Sequence, residues 1–183
     1  VRCVCEDEDG NILVGTKGSG IKLLNPATKE LTDYLNESKG LISNSVYALR
    51  RNKANDIFIG TEGNGINILN VATGRLEKLE IPDKYPPFKA VYNIYFTNND
   101  SLLWVGTSGY GLIKINISRE QGRYHVKGFR QYNSSDKNIS LNNDVVYAIT
   151  SDPEDNMLWF GTRGGGLNCI NMKDNSIKSL EDM

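Results

Sequence analysis

Leu158-Trp159-Phe160-Gly161-Thr162-Arg163-Gly164-Gly165-Gly166-Leu167-Asn168-Cys169-Ile170-Asn171 decides the reading of this chain, because its pattern occurs four times. The other copies are Ile12 to Asn25, Ile57 to Asn70 and Leu103 to Asn116. Each runs an apolar triplet, Gly-Thr, a variable residue, Gly, a second variable residue, Gly, a largely apolar run, then Asn. The Gly-Thr pairs begin at Gly15, Gly60, Gly106 and Gly161, a period of roughly 45 to 55 residues, which is the range of stacked repeats.

Working outward from that stretch, the triplets are too short for helices and rich in β-branched and aromatic residues, as strands are. Gly-x-Gly between two apolar runs is a hairpin signal, and the run after it alternates, as in Ile66-Asn67-Ile68 and Leu167-Asn168-Cys169, with the period of two of a strand. Upstream lie Val1-Arg2-Cys3-Val4-Cys5, Val46-Tyr47-Ala48-Leu49, Val91 to Tyr95 and Val146-Tyr147-Ala148-Ile149. Turns such as Asp9-Gly10-Asn11, Asn98-Asn99-Asp100 and Asp152 to Asn156 join them to the Gly-Thr strands. Downstream, the turn at Asn25-Pro26-Ala27-Thr28 or Asn70 to Gly74 leads to a fourth short strand, over Leu31 to Tyr34, Leu76 to Leu79, Lys127 to Tyr132 and Ser176 to Leu180.

One repeat is therefore a four-stranded antiparallel meander, and the chain is all-β. Such meanders stacked face to face around an axis are β-propeller blades. The expected blades are residues 1–40, 41–85, 86–137 and 138–183, the third carrying a long turn from Asn116 to Arg123 and a polar linker from Asn133 to Asn138. Trp104 and Trp159 are expected to be buried between blades. The uncovered end faces are expected to hold Val4, Leu13, Leu23, Trp159, Leu167 and Ile170, so that the chain self-associates or meets further blades of a longer protein.

The repeat resembles the two-component regulator propeller. The matching parts are Ser43-Asn44-Ser45-Val46-Tyr47-Ala48, Leu141-Asn142-Asn143-Asp144-Val145-Val146-Tyr147-Ala148, the Asp9-Gly10-Asn11 turn, the Trp-Val-Gly-Thr and Trp-Phe-Gly-Thr strands, and the Gly-Leu-x-x-Ile-Asn tail. In that family such repeats build the extracytoplasmic sensor of bacterial hybrid histidine kinases, typically two seven-bladed propellers and a β-sandwich ahead of a membrane helix, kinase, receiver and often DNA-binding modules. Many are implicated in sensing oligosaccharides from complex glycans. The resemblance implies a periplasmic sensor module that detects a ligand. Four blades do not fill a seven-bladed ring, and the chain has no kinase or receiver segment, so part of a sensor is implied. The alternatives are a protein-interaction scaffold without a small ligand and a carbohydrate-active enzyme such as a lyase.

Composition narrows these options. The chain has 183 residues and a net charge of −1. A nucleic-acid partner is not expected, since such binders are usually basic. No apolar run is long enough to span a bilayer, and no leader precedes Val1, which opens directly on a strand; an excised piece is expected. Of the three cysteines, Cys3 and Cys5 share one side of a strand and Cys169 holds a slot taken by Leu23, Ile68 and Lys114 elsewhere, so all three are read as small core residues without a disulfide.

No cofactor, metal ion or catalytic group is expected. Gly15 to Lys22 lacks the spacing, the hydroxyl and the helix of a phosphate loop. Glu6 to Asn11 lacks the later acidic ligand of a calcium loop. Asp7, Asp9, Asp56, Asp100 and Asp155 fall in first turns, where turn chemistry explains them. His125 is the only histidine, so no hydrolase triad can be assembled.

The variable positions of the Gly-x-Gly hairpins carry the functional expectation. A constant frame with changing guests presents different side chains on one rim, shared with the lead-in segments around Asn44 and Asn143. The candidate ligand residues are Lys17, Asn44, Glu62, Asn64, Tyr110, Asn143 and Arg163, with Tyr110 as a stacking platform and the others as polar partners for an oligosaccharide. Tyr47, Tyr92 and Tyr147 recur at one position and serve either interblade packing or a ligand platform. Arg2, in the same slot, faces either a blade outside this chain or a partner.

Overall fold

All three side chains of Ile57-Phe58-Ile59 are buried, and a strand whose successive side chains point to opposite faces can bury them all only with cover on both sides. The cover is the neighbouring sheet. The computed structural model describes residues 1–136, 141–152, 154 and 156–180. It contains four four-stranded antiparallel sheets, each in chain order. The first holds β1 (Cys3–Glu6), β2 (Ile12–Gly15), β3 (Ile21–Leu24) and β4 (Leu31–Leu35). The second holds β5 (Val46–Arg51), β6 (Asp56–Thr61), β7 (Ile66–Asn70) and β8 (Arg75–Lys78). The third holds β9 (Val91–Thr97), β10 (Leu102–Thr107), β11 (Leu112–Glu120) and β12 (Arg123–Tyr132). The fourth holds β13 (Val146–Asp152), β14 (Met157–Thr162), β15 (Leu167–Asn171) and β16 (Ile177–Ser179). The β-propeller expectation is borne out. Lys137 and Asn138 of the expected linker, Pro153 and Asp155 of the last first-turn, and residues 181–183 lie outside the described residues.

The sheets stack through one repeated contact. Leu13 packs with Val46, Leu49, Ile57 and Ile59 of the second sheet. Phe58 packs with Leu103, Val105 and Ile113 of the third. Trp104 packs with Val146, Leu158 and Phe160 of the fourth. Each fully buried side chain of this size contributes about 1.5–3 kcal/mol, whereas the surface pairs Arg75–Glu77 and Lys127–Glu120 contribute about 0–1 kcal/mol each. Burial between sheets therefore holds the row together.

Glycine sets how closely the sheets approach. A Cβ on Gly15 would lie 2.4 Å from Cys3 Sγ and 3.0 Å from Val46 Cγ1. One on Gly60 would lie 2.5 Å from Val91 Cγ1, and one on Gly106 would lie 2.8 Å from the Val146 carbonyl. The first valine of each following sheet thus sits in the notch left by the Gly of Gly-Thr. Gly161 has nothing within 4 Å of that position.

That difference divides the expectations for the end faces: Val4, Trp159 and Leu167 do lie on open faces, whereas the burial of Trp159 between blades and the exposure of Leu13, Leu23 and Ile170 are corrected. Trp104 is buried as expected, but Trp159 is only half-buried, because no following sheet lies on its face among the described residues. Leu167 is 40% exposed, although its equivalents Ile21, Ile66 and Leu112 are fully buried. At the other end Val1 is 86% and Val4 60% exposed, whereas Val46, Leu49, Ile94 and Ile149 are buried. Leu13, Leu23 and Ile170, expected on the open faces, instead pack inside the row; their side chains point to the covered side of their sheets.

The third sheet departs most. The stretch expected to be a long turn from Asn116 to Arg123 is strand. A register shift after Asn116 lets β11 and β12 continue as a hairpin arm, closed by Gln121 and Gly122 at φ 50 and 77, the two positive angles of a tight hairpin turn. The arm reaches back over the second sheet. Tyr124 meets Phe58 edge to face at 5.0 Å, and its hydroxyl donates to Asp56 at 2.7 Å. Asp56 is thus no surface turn residue: it is buried and also accepts from Asn70 Nδ2 at 2.7 Å, with Arg119 Nε 3.3 Å away. The three cysteines are free, and Cys169 is buried.

A candidate ligand-binding rim

The Gly-Thr-x-Gly-x-Gly hairpins are closed by their own threonines. Thr16 Oγ1 donates to the Gly20 carbonyl at 2.9 Å and accepts from Ser19 N–H at 3.0 Å. Thr107 repeats this with Gly111 and Tyr110 at 2.7 and 3.1 Å. Both glycine amides then grip the next sheet: Gly18 and Gly20 donate to the Asn44 carbonyl at 3.0 and 2.9 Å, and Gly109 and Gly111 to that of Asp144 at 3.0 and 2.8 Å. Gly20 also has φ 66, and a Cβ there would lie 2.1 Å from the Leu35 carbonyl, so only glycine fits. The first and third hairpins are therefore tied to the lead-in segment of the following sheet.

On this frame Lys17, Glu62, Asn64 and Arg163 are exposed, while Asn44, Tyr110 and Asn143 are half-buried. Asn44 is committed to local structure: its Oδ1 accepts from Glu37 N–H and its own N–H donates to Glu37 Oε1, both at 2.8 Å. Asn143 Oδ1 likewise accepts from Val145 N–H at 2.9 Å. The Tyr110 ring leans on the apolar cluster between the second and third sheets. Asn44 lines a cavity of about 420 Å³ with Gly18, Ser19, Lys22 and Asp33. Asn64 lines a separate one of about 400 Å³ with Lys78, Glu80, Asp83, Tyr85 and Phe88. The candidates thus share a rim but spread over more than one hollow.

Tyr85 and Phe88 were missed by the sequence reading. They come from the connection between β8 and β9, where Tyr85 stacks on Phe129 at 5.0 Å and 20°. The legible signal is Tyr85-Pro86-Pro87-Phe88, two aromatics around a stiff Pro-Pro in a connection with no repeat counterpart.

The repeated tyrosines form a column across the sheets. Tyr47 meets Tyr92 edge to face at 5.1 Å, and Tyr92 stacks on Tyr147 at 5.3 Å. The Arg2 guanidinium lies 5.7 Å from the Tyr47 ring centre; Arg2 therefore continues the column within this chain. Burial first, and then the Glu62 carboxylate, raise the Tyr47 pKa, which joins Glu62 to the same column. On the opposite rim the first turns carry structural bonds. Asp7 Oδ1 accepts from the Asp9 and Asn11 amides at 3.0 and 2.8 Å, and Asp100 accepts from Lys53 N–H at 2.6 Å. Among the described residues no group of three or more His, Cys, Asp or Glu side chains is placed to hold a metal ion, and no helix is long and apolar enough to cross a membrane.

Four stacked meanders with glycine-notched contacts and a guest-bearing rim define a β-propeller repeat array. Residues 1–18 match the family model described as the two component regulator propeller, which bears out the resemblance carried by the repeats. Histidine kinase P4 of Formosa agariphila is 29% identical over 171 residues, covering 90% of this chain, and the chain spans 12% of that relative's length. The extracellular domain of a hybrid two component system from B. thetaiotaomicron has a TM-score of 0.73 at 18% identity, over 97% of this chain and 24% of that one. Virginiamycin B lyase from Staphylococcus aureus has a TM-score of 0.66 at 18% identity, over 97% of this chain and 54% of that one. Sensor and lyase share this architecture, so these likenesses establish the fold and leave function to the site.

Proposed function

We propose that this chain is a ligand-binding part of the periplasmic sensor region of a hybrid two-component histidine kinase, and that its ligand is an oligosaccharide. It acts by binding, without turnover, and hands the signal to the kinase that controls transcription. The observation that carries the reading is the hollow at the Asn64 hairpin. A half-exposed aromatic ring, Tyr85, stands there beside an amide, Asn64, two carboxylates, Glu80 and Asp83, and the Lys78 ammonium. The C–H face of a pyranose would take the place of the Lys84 ammonium, which lies 5.0 Å from the centre of the Tyr85 ring, while Phe129 backs the ring and mixed donors and acceptors take the sugar hydroxyls. Asn64 is one of the variable guests of the repeat, which is where a scaffold places specificity. Its neighbours on the rim, Lys17, Glu62, Tyr110 and Arg163, extend the surface for a longer sugar.

The test is a glycan array followed by calorimetry on the oligosaccharides retained. Binding that weakens about tenfold or more in Tyr85→Ala and Asn64→Ala supports the reading. Retention of no glycan, or affinity unchanged in both variants, overturns it, and sustained cleavage of a polysaccharide would place the chain among enzymes instead.

A further inference from the structure

The arm of the third sheet encloses a cavity against the second. β11 and β12 run 9 and 10 residues, against 4 to 5 for the third strands and 3 to 5 for the fourth strands of the other sheets. Between the arm and the turn joining β7 to β8 lies a space of about 310 Å³. Ile68, Asn70, Thr73 and Arg75 line it from the second sheet, Arg119 and Tyr124 from the arm.

Two guanidinium groups share this small space, and each meets one carboxylate. Arg119 Nε lies 3.3 Å from Asp56 Oδ2, and Arg75 Nη2 lies 2.8 Å from Glu77 Oε2. The carboxylates stand behind and the cations in front: the Asp56 and Glu77 side chains are 2% and 23% exposed, those of Arg119 and Arg75 41% and 49%. Asp56 also accepts from Asn70 Nδ2 and the Tyr124 hydroxyl, both at 2.7 Å. Nε carries only one of a guanidinium's five N–H donors, so Arg119 holds Asp56 and still offers its fork to a ligand. The same guanidinium lies 5.8 Å from the centre of the Tyr124 ring, which restricts its freedom. The rest of the arm adds charge of the same sign: Arg123 and Lys127 stand against Glu120, and Glu120 is paired with Lys127 at 2.7 Å.

We propose that this cavity binds an acidic sugar unit, a single ring carrying a carboxylate or a sulfate group. The oxyanion lies between Arg75 and Arg119, where planar forks take two oxygens at once and where an anion relieves the repulsion of the two cations. The ring fills the space over Ile68. Thr73 Oγ1, which donates to Asn70 Oδ1 at 2.6 Å, keeps its lone pairs for the ring hydroxyls. A volume at the lower end of the roughly 300–1,000 Å³ of ligand sites suits one ring and not a chain. The site stands on the opposite rim of the second sheet from the Asn64 hairpin, and it does not rest on the reading of that hollow.

Chemical-shift titration of the isotope-labelled chain tests it with glucuronate, glucose 6-sulfate, glucose and inorganic sulfate. The expected result is saturable shifts at Thr73, Arg75, Arg119 and Gly122 with glucuronate or glucose 6-sulfate, the tighter of the two identifying the oxyanion. Glucose and inorganic sulfate should bind about tenfold more weakly or not at all. Arg75→Gln, at an exposed position apart from the bonds to Asp56, should keep the wild-type circular dichroism and weaken the acid by about tenfold or more. Asn64→Ala and Tyr85→Ala should leave it unchanged. Binding of neither acid, equal binding of glucose or inorganic sulfate, or full affinity in Arg75→Gln overturns the proposal. Loss of the acid in Asn64→Ala would place it at the other hollow and overturns it as well.

Discussion

The Tyr124 hydroxyl donates to the buried Asp56 carboxylate at 2.7 Å and accepts from Asn52 Nδ2 at 2.6 Å. These bonds tie the arm of the third sheet to the first turn of the second. Removing the hydroxyl leaves Asp56 short of a donor, and a buried acceptor left under-satisfied costs about 1–3 kcal/mol. Tyr124→Phe should therefore lower stability in urea by that amount while retaining the ring contact with Phe58. A loss within about 0.5 kcal/mol, the surface range, would mean that water replaces the hydroxyl.

Alkaline pH should loosen the same junction. Burial first, then the hydrogen bond to Asp56, raise the Tyr124 pKa above its ordinary value. Cys3 is likewise raised, chiefly by burial, from 9.0 to about 12. A group whose folded pKa is raised contributes fully below its unfolded value and loses that contribution as pH climbs toward the folded one. Stability should thus hold up to about pH 9 and then fall, with the thiol titrating out first in the unfolded chain and tyrosine near 10 after it. Urea midpoints across this range should fall less steeply in Cys3→Ala/Tyr124→Phe than in the wild type; equal slopes would remove these two groups as the cause.

Two glycines at the same repeat position should respond in opposite ways to alanine. Gly106→Ala drives a methyl against Val146, and overpacking of that kind costs about 1–3 kcal/mol. Gly161→Ala meets open space at an ordinary backbone angle, where reduced freedom of the unfolded chain is worth about 0.4–1 kcal/mol of stabilisation. Equal destabilisation by both would show that the notch geometry differs from that described.

The tryptophans should be distinguishable too. Trp104→Ala removes a buried ring stacked on Tyr132 at 6.2 Å and should cost about 3–5 kcal/mol. Trp159→Ala should cost clearly less. In single-tryptophan variants at low concentration, acrylamide should quench Trp159 strongly and Trp104 weakly; the reverse order would overturn the assignment of covered and open faces.

This pair also marks what could be read from sequence. The four Gly-Thr frames specify four sheets because each local choice agrees: β-branched triplets, hairpin glycines and the Asp7 and Asn52 turns. Trp159 was expected both buried between blades and on an open end face, because its burial depends on a sheet beyond its face and not on its own repeat. The arm was misread because Ser118-Arg119-Glu120-Gln121-Gly122-Arg123 is polar throughout, and a two-residue turn with positive φ leaves only Gly122 as its signature. At the rim, the hairpin guests were legible as a set. Tyr85 was not, since its connection has no periodicity and its ring finds Phe129 only in three dimensions.

Amide and side-chain chemical-shift mapping of the isotope-labelled chain, titrated with an oligosaccharide retained on the array, tests the functional account most directly. The account predicts saturable shifts at Asn64, Gly65, Lys78 and Tyr85, spreading along the Gly-x-Gly rim toward Tyr110. Shifts confined to the opposite rim around Asn98, Asn99 and Asp100 would contradict it.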